Sequence, residues 1–262
     1  MKIFYFTGTG NSHWTAKRIG KYFSAEVCSI MNYKNEKLVI VDDTDIGIVC
    51  PIYMSDIPWI VKEFLLKLSV SRKAYVFTIL TSNVGKNGKG IANIDHALLS
   101  NEQTLSLAFD LQMPGNCIES SAEQDKDRLR SAPEKTAGFC KAIEKRERNV
   151  VSDNQKAGNK FVQKSWLYSP CNILKWFKIK NNCTSCGICV KICPMKNITI
   201  SEGKTIHGKS CAACYACIHW CPTHSRIVNI PMLRKLRQYH HPEVTIGDIV
   251  ISNQEDKEWQ RH

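Results

Sequence analysis

The stretch Ile3-Phe4-Tyr5-Phe6-Thr7-Gly8-Thr9-Gly10-Asn11-Ser12 decides the larger part of the fold. Four apolar or aromatic residues in a row read as a buried strand, and the glycines and hydroxyl residues behind them end it. Helical spacing of apolar residues follows over 13–23, so the loop joins a strand to a helix. The alternation continues outward. Strands are predicted at 2–6, 27–30, 46–50, 74–80 and 104–111, with helices at 13–23, 58–68 and 91–99 between them. A polar, partly periodic segment over 125–149 supplies a last covering helix, which Pro133 is expected to break or kink. Five strands separated by helices predict an α/β fold with a doubly wound parallel sheet.

In such a sheet a strand-to-helix loop presents the positive end of the helix. Gly8 and Gly10 let the backbone approach an anion, and Thr7, Thr9 and Ser12 add hydroxyl donors, so the loop should hold a phosphate. It carries neither the lysine of a Walker loop nor a GxGxxG dinucleotide spacing.

Residues 3–12, followed by Ala16 and Ile19, resemble the flavodoxin signature over roughly residues 1–149, with Ser12 where that family commonly has threonine. The resemblance implies a flavodoxin-like fold, with FMN phosphate on Thr7, Gly8, Thr9, Gly10, Asn11 and Ser12. It also implies flavin-ring contacts from two further loops, Pro51-Ile52-Tyr53-Met54-Ser55 and Thr81-Ser82-Asn83-Val84-Gly85. Tyr53 is the candidate to stack on the ring, against the plainer reading of a loop tyrosine packed on its neighbours. The second loop lacks an aromatic residue, which would leave one ring face open to a substrate or covered by another domain. Lys86 and Lys89, just beyond it, would favour an anionic reduced flavin if they lie near.

A second pattern occurs twice: Cys183-x2-Cys186-x2-Cys189-x3-Cys193-Pro194 and Cys211-x2-Cys214-x2-Cys217-x3-Cys221-Pro222. Three thiolates on one tight loop reach different irons of a cube, while the fourth is aimed at the other cube. The spacing therefore predicts two 4Fe-4S clusters with crossed ligation. Cys183, Cys186, Cys189 and Cys221 would hold one, and Cys211, Cys214, Cys217 and Cys193 the other. Structural zinc usually separates two CxxC knuckles by a longer stretch, and the thiols are spaced as ligands instead of disulfide partners. Residues 180–230 resemble the bacterial two-cluster ferredoxins, implying a smaller α+β domain. Cys28, Cys50, Cys117, Cys140 and Cys171 have no ligand spacing and read as small apolar side chains.

The 262 residues divide into a flavodoxin-like domain (1–150), an aromatic-rich connecting segment (151–179), a ferredoxin-like domain (180–230) and a tail (231–262). Phe161, Trp166, Leu167, Tyr168, Leu174, Trp176 and Phe177 would fix the two domains together. His219, Trp220, His240 and His241 are assigned packing roles. The domain order, the approach Trp176-Phe177-Lys178-Ile179 and the tail Tyr239-His240-His241-Pro242-Glu243-Val244 resemble a family of flavodoxin-ferredoxin fusion proteins.

The formal charge is +12, and two clusters and a phosphate would reduce it to about +6, still suited to a redox partner with an acidic docking face. The expected function is electron transfer between the clusters and FMN, linking a low-potential one-electron donor to a partner. The alternative is an FMN-dependent reductase of a small acceptor such as a quinone, nitro compound or flavin. A basic regulator binding nucleic acid has only the net charge in its favour and no concentrated basic helix, so no nucleic-acid partner is expected. No apolar run is long enough to span a bilayer, and residues 2–6 read as a strand and not a leader; a cytoplasmic protein, not integral to a membrane, is expected.

Overall fold

The computed structural model describes residues 1–117, 120–150, 176–230 and 236–253. Its first half contains seven strands: β1 (Lys2–Tyr5), β2 (Glu26–Ser29), β3 (Val39–Val41), β4 (Asp45–Pro51), β5 (Leu68–Val70), β6 (Tyr75–Ser82) and β7 (Leu107–Gln112). Five of them form one parallel sheet in the order β2-β1-β4-β6-β7. Counted along the sheet-forming strands this order is 2-1-3-4-5, the doubly wound flavodoxin-like arrangement, whose switch point lies between the first and third strands. β6 is buried from Tyr75 to Thr81, as a strand covered on both faces must be.

The helices are α1 (Asn11–Phe23), α2 (Trp59–Lys67), α3 (Gly90–Leu99) and α4 (Ala122–Glu144). Two features depart from the sequence reading. β3 and β5 form a separate parallel pair, Val39 to Val41 against Leu68 to Val70, which short apolar triplets do not announce. Helix α4 runs without a break through Pro133. Its capping box pairs Ser121 with Gln124, and it buries Ala132, Thr136, Cys140 and Ile143 on one side. Those contacts outweigh the cost of about 3 kcal/mol for an interior proline.

The second half is smaller. β8 (Phe177–Ile179) pairs antiparallel with β11 (Arg226–Val228), and β9 (Ile198–Ser201) with β10 (Lys204–His207). The short helices α5 (Ile188–Lys191) and α6 (Ala216–His219) complete an α+β, ferredoxin-like unit. After it, the described part of the tail carries α7 (Ile246–Ser252), capped by Thr245 and Asp248. Among the described residues no helix is long and apolar enough to cross a membrane.

The two halves share one hydrophobic core. Ile192, Met195, Ala216 and Trp220 of the second unit and Val244 and Ile249 of the tail are buried in continuity with the sheet core. Each large side chain of this set gains roughly 1.5–3 kcal/mol by burial, so the units are docked and not tethered. The aromatic residues expected to do this, Phe161 to Leu174, lie outside the described residues; Trp176 is exposed, and Phe177 packs on His207 and Tyr215.

Candidate functional site

The three loops singled out from sequence meet at the carboxyl ends of β1, β4 and β6. The Ser12 hydroxyl lies 2.8 Å from that of Thr81, and the Ile52 N–H donates to the Thr81 carbonyl at 3.0 Å. Lys89 N–H donates to the Ser55 carbonyl at 2.7 Å, so the glycine-rich stretch folds over the tip of the β4 loop. Gln112 donates to the Asn83 carbonyl at 2.9 Å, and the Arg128 guanidinium bonds the Asn83 side chain. At the tips Met54 and Val84 are exposed, while Tyr53 is 8% exposed and belongs to the core. Tyr53 thus packs largely on its neighbours.

Helix α1 begins at Gly10, which sits at φ 97° and provides no side-chain cap. The first-turn N–H groups of Asn11, Ser12 and His13 have no carbonyl within the helix to bond, which is the donor set an anion uses. The Gly10 N–H turns back to Thr7 Oγ1 at 3.0 Å.

This loop is roofed, a feature absent from the sequence reading. The Gly8 carbonyl accepts from Trp220 Nε1 at 3.0 Å, and a Cβ built on Gly8 would lie 2.4 Å from the Cys214 carbonyl oxygen. Only glycine lets the two backbones meet so closely. From the tail, His241 N–H donates to the Thr9 carbonyl at 2.8 Å, and the Tyr239 hydroxyl bonds Asn11 Oδ1 at 2.6 Å. His241 also stacks on Trp14, with ring centroids 4.9 Å apart. Trp59 Nε1 reaches the Cys211 carbonyl at 3.1 Å, and His219 Nε2 lies 2.6 Å from the Asn116 carbonyl while its Nδ1 accepts from Tyr239 N–H. Those two bonds fix His219 as the neutral Nε2–H tautomer. Beneath the tail, Tyr5 OH bonds Ser252 Oγ at 2.5 Å beside the buried His13. Burial pushes His13 and His241 each down to about 4.

Both cysteine loops take the same backbone path. Left-handed φ values recur at equal offsets: 54° at Ser185 and 54° at Ala213, 78° at Gly187 and 56° at Tyr215, 49° at Lys196 and 50° at His224. Left-handed side-chain-bearing residues are costly, and their repetition points to a constraint common to both loops. Successive N–H groups in such turns form anion-binding concavities. Ala213 N–H donates to Cys211 Sγ at 3.3 Å and Asn197 N–H to Cys193 Sγ at 3.4 Å.

Cys193, Cys211, Cys214 and Cys217 line a single cavity with Phe177, Met195, Ile198 and Ala216. Cys193 thus joins the loop of the other motif, as crossed ligation requires. Among the described residues no three His, Cys, Asp or Glu side chains are gathered tightly enough for a single ion. A 4Fe-4S cube takes each of its four thiolates on a different iron and not all on one ion. Burial raises these thiols, Cys211 to about 11 and Cys217 to about 12. The other four are more open, with Cys186 exposed and Cys183, Cys189 and Cys221 half-buried. Burial raises Cys221, but hydrogen bonds from Thr223, Arg226 and Ser225 outweigh it and leave the thiol below its ordinary value. Of the remaining cysteines, Cys50 and Cys140 are buried and Cys28 and Cys117 half-buried; Cys171 lies outside the described residues.

Residues 148–227 match the family described as a 4Fe-4S dicluster domain. The match lies in the second half, behind the 2-1-3-4-5 sheet of the first. The chain joins a flavodoxin-like fold to a 4Fe-4S dicluster domain. No curated protein matches the chain. Solved structures similar to its first half include the flavodoxin of Streptococcus pneumonia TIGR4, at 15% identity and TM-score 0.33, covering 53% of this chain and 97% of that one. A flavodoxin from the domain Archaea is similar at 12% identity and TM-score 0.30, covering 54% and 99%. An FMN-dependent NADH-azoreductase from Bacillus anthracis str. Ames Ancestor gives 10% identity and TM-score 0.37, covering 53% and 98%. At such TM-scores these likenesses add nothing to the strand order. The second half is a 4Fe-4S domain by its family match, and the first half has the flavodoxin-like fold by its strand order.

Proposed function

We propose that the chain passes electrons between two 4Fe-4S clusters and FMN, linking a low-potential one-electron donor to a redox partner. The observation that carries this reading is the contact of Cys214 with Gly8: a cysteine loop and the phosphate loop share a wall. In this reading Cys183, Cys186, Cys189 and Cys221 hold the outer cluster, and Cys193, Cys211, Cys214 and Cys217 the inner one. FMN phosphate would be held by Thr7, Gly8, Thr9, Gly10, Asn11 and Ser12, whose helix-start donors fit an anion, under a roof that Trp220, Tyr239 and His241 supply. The ring would lie by Pro51, Ile52, Tyr53 and Met54 and by Thr81, Ser82, Asn83 and Gly85. A flavin accepts one or two electrons whereas a cube exchanges one, so one chain with both converts between the two kinds of partner. The domain limits are 1–150, 151–179, 180–230 and 231–262.

The outer face suits an acidic partner. Between 176 and 230 there are seven Lys and Arg residues and one acid, Glu202. Lys178, Lys180, Lys191 and Lys204 are exposed, and all flank the Cys183–Cys189 loop, Lys204 through the Ser185 bond to Gly203. A second reading, reduction of a small acceptor, draws on the exposed apolar tips Met54 and Val84 of the two ring loops. Anaerobic purification followed by iron, sulfide and flavin analysis tests the proposal. Two cubes and one FMN per chain are expected, and lack of either sinks it; rapid steady-state turnover of a small acceptor would favour the second reading.

A further inference from the structure

Arg226, in β11, is 4% exposed. A buried guanidinium costs several kcal/mol unless a counter-charge and hydrogen bonds compensate it, and it cannot escape by losing its proton. No carboxylate serves it: among the described residues it makes no ion pair, and Glu202, the one acid between 176 and 230, is exposed. Its Nη1 contacts His207 Nε2, and a neutral imidazole offers a lone pair but no charge. Its Nη2 is buried with no hydrogen-bond partner. His207 in turn forms a wall of the cavity ringed by Cys193, Cys211, Cys214 and Cys217. Toward the other four cysteines, Arg226 offers its backbone N–H to Cys221.

A buried cation with an orphan donor, anchored on the wall of an apolar cavity whose four thiols would become thiolates on loading, has its counter-ion in what those thiolates hold. We propose that Arg226 is the counter-charge of the inner cluster and sets that cluster's potential above that of the outer one. This rests on the two-cluster reading above. The charge favours the state with one more negative charge. One electron is then lost by the outer cluster and gained by the inner, with no bond formed or broken and no proton moved. Electrons arriving at the exposed Cys186 face are thereby drawn toward the loop at Gly8.

The test uses the full chain, loaded anaerobically, with Arg226→Gln and Arg226→Lys beside it. Iron and sulfide are counted, and both clusters are titrated with EPR detection. Arg226→Gln is expected to lower the higher midpoint alone, so that the constant for electron sharing between the clusters falls at least tenfold, about 59 mV for one electron. Arg226→Lys is expected to retain most of the difference. Loss of half the iron in Arg226→Gln, with full iron in Arg226→Lys, supports the same assignment. Unmoved midpoints in a fully loaded Arg226→Gln overturn it, as do equal shifts of both midpoints, or a lysine variant as impaired as the glutamine one. A wild-type chain that takes up no second cluster overturns the underlying reading itself, before any variant is compared.

Discussion

Gly8→Ala is the sharpest perturbation of the contact between the two halves. The new methyl would sit 2.4 Å from the Cys214 carbonyl oxygen, 3.1 Å from its Cβ and 3.2 Å from its carbonyl carbon. Backbone inside a cysteine loop cannot swing aside as the end of a lysine can, so the loops must separate. Overpacking of this kind costs about 1–3 kcal/mol. Separation also stretches the bond from Trp220 Nε1 to the Gly8 carbonyl, now 3.0 Å, worth about 1 kcal/mol. A total of roughly 2–4 kcal/mol lowers the docking equilibrium by about 30- to 1,000-fold. Hydrogen exchange of residues 7–12 and 211–217 in the loaded protein reads this directly as lost protection in both segments together. Gly138→Ala is the control, because its Cβ meets nothing within 4 Å in the middle of α4, and alanine there should stabilise by about 0.5–1 kcal/mol. Protection at both loops unchanged to within about 0.5 kcal/mol in Gly8→Ala would refute the reasoning.

Further outcomes follow from the same contacts. Trp220→Phe keeps the ring but removes the donor to Gly8, and should weaken docking by about 1–2 kcal/mol in a denaturant titration followed at both halves. His13 and His241 titrate near 4 when folded and 6.5 when unfolded, so their contribution is complete above pH 6.5 and is lost as pH falls toward 4. His13 faces Asp248 and Lys17, and His241 faces Glu243, His240 and His13, with burial outweighing the two carboxylates. Each imidazole is worth on the order of 3 kcal/mol, so exchange protection of residues 239–252 should fall over that window, and fall less in His241→Phe. Changing Lys178, Lys180, Lys191 and Lys204 to Glu should abolish the salt-sensitive part of the rate at which an acidic ferredoxin reduces the chain, leaving its rate with neutral reductants unaltered. Cys193→Ser should disturb the less exposed cluster and Cys221→Ser the more exposed one, seen as separate EPR changes; the reverse would exclude crossed ligation.

What could be read from sequence was local. The strand, loop and helix of residues 2–23 declare themselves within twenty positions, and the cysteine spacing encodes its own loop. Pro133 does not break α4 because packing outweighs propensity there, and the burial of Tyr53 is not declared by its place in a loop. The roof was not legible: Tyr239 meets Asn11 across 228 positions and Trp220 meets Gly8 across 212, and no periodicity records such pairings. Arg226 was equally hidden, since one basic residue among many looks solvated until its burial is seen.

The central claim is that the inner cluster and the phosphate loop are neighbours in one molecule. Flash reduction of the loaded chain, followed at wavelengths separating iron-sulfur from flavin absorbance, tests it most directly. The account predicts first-order electron redistribution whose rate is independent of protein concentration. A rate that rises in proportion to concentration, or no exchange at all, would contradict it.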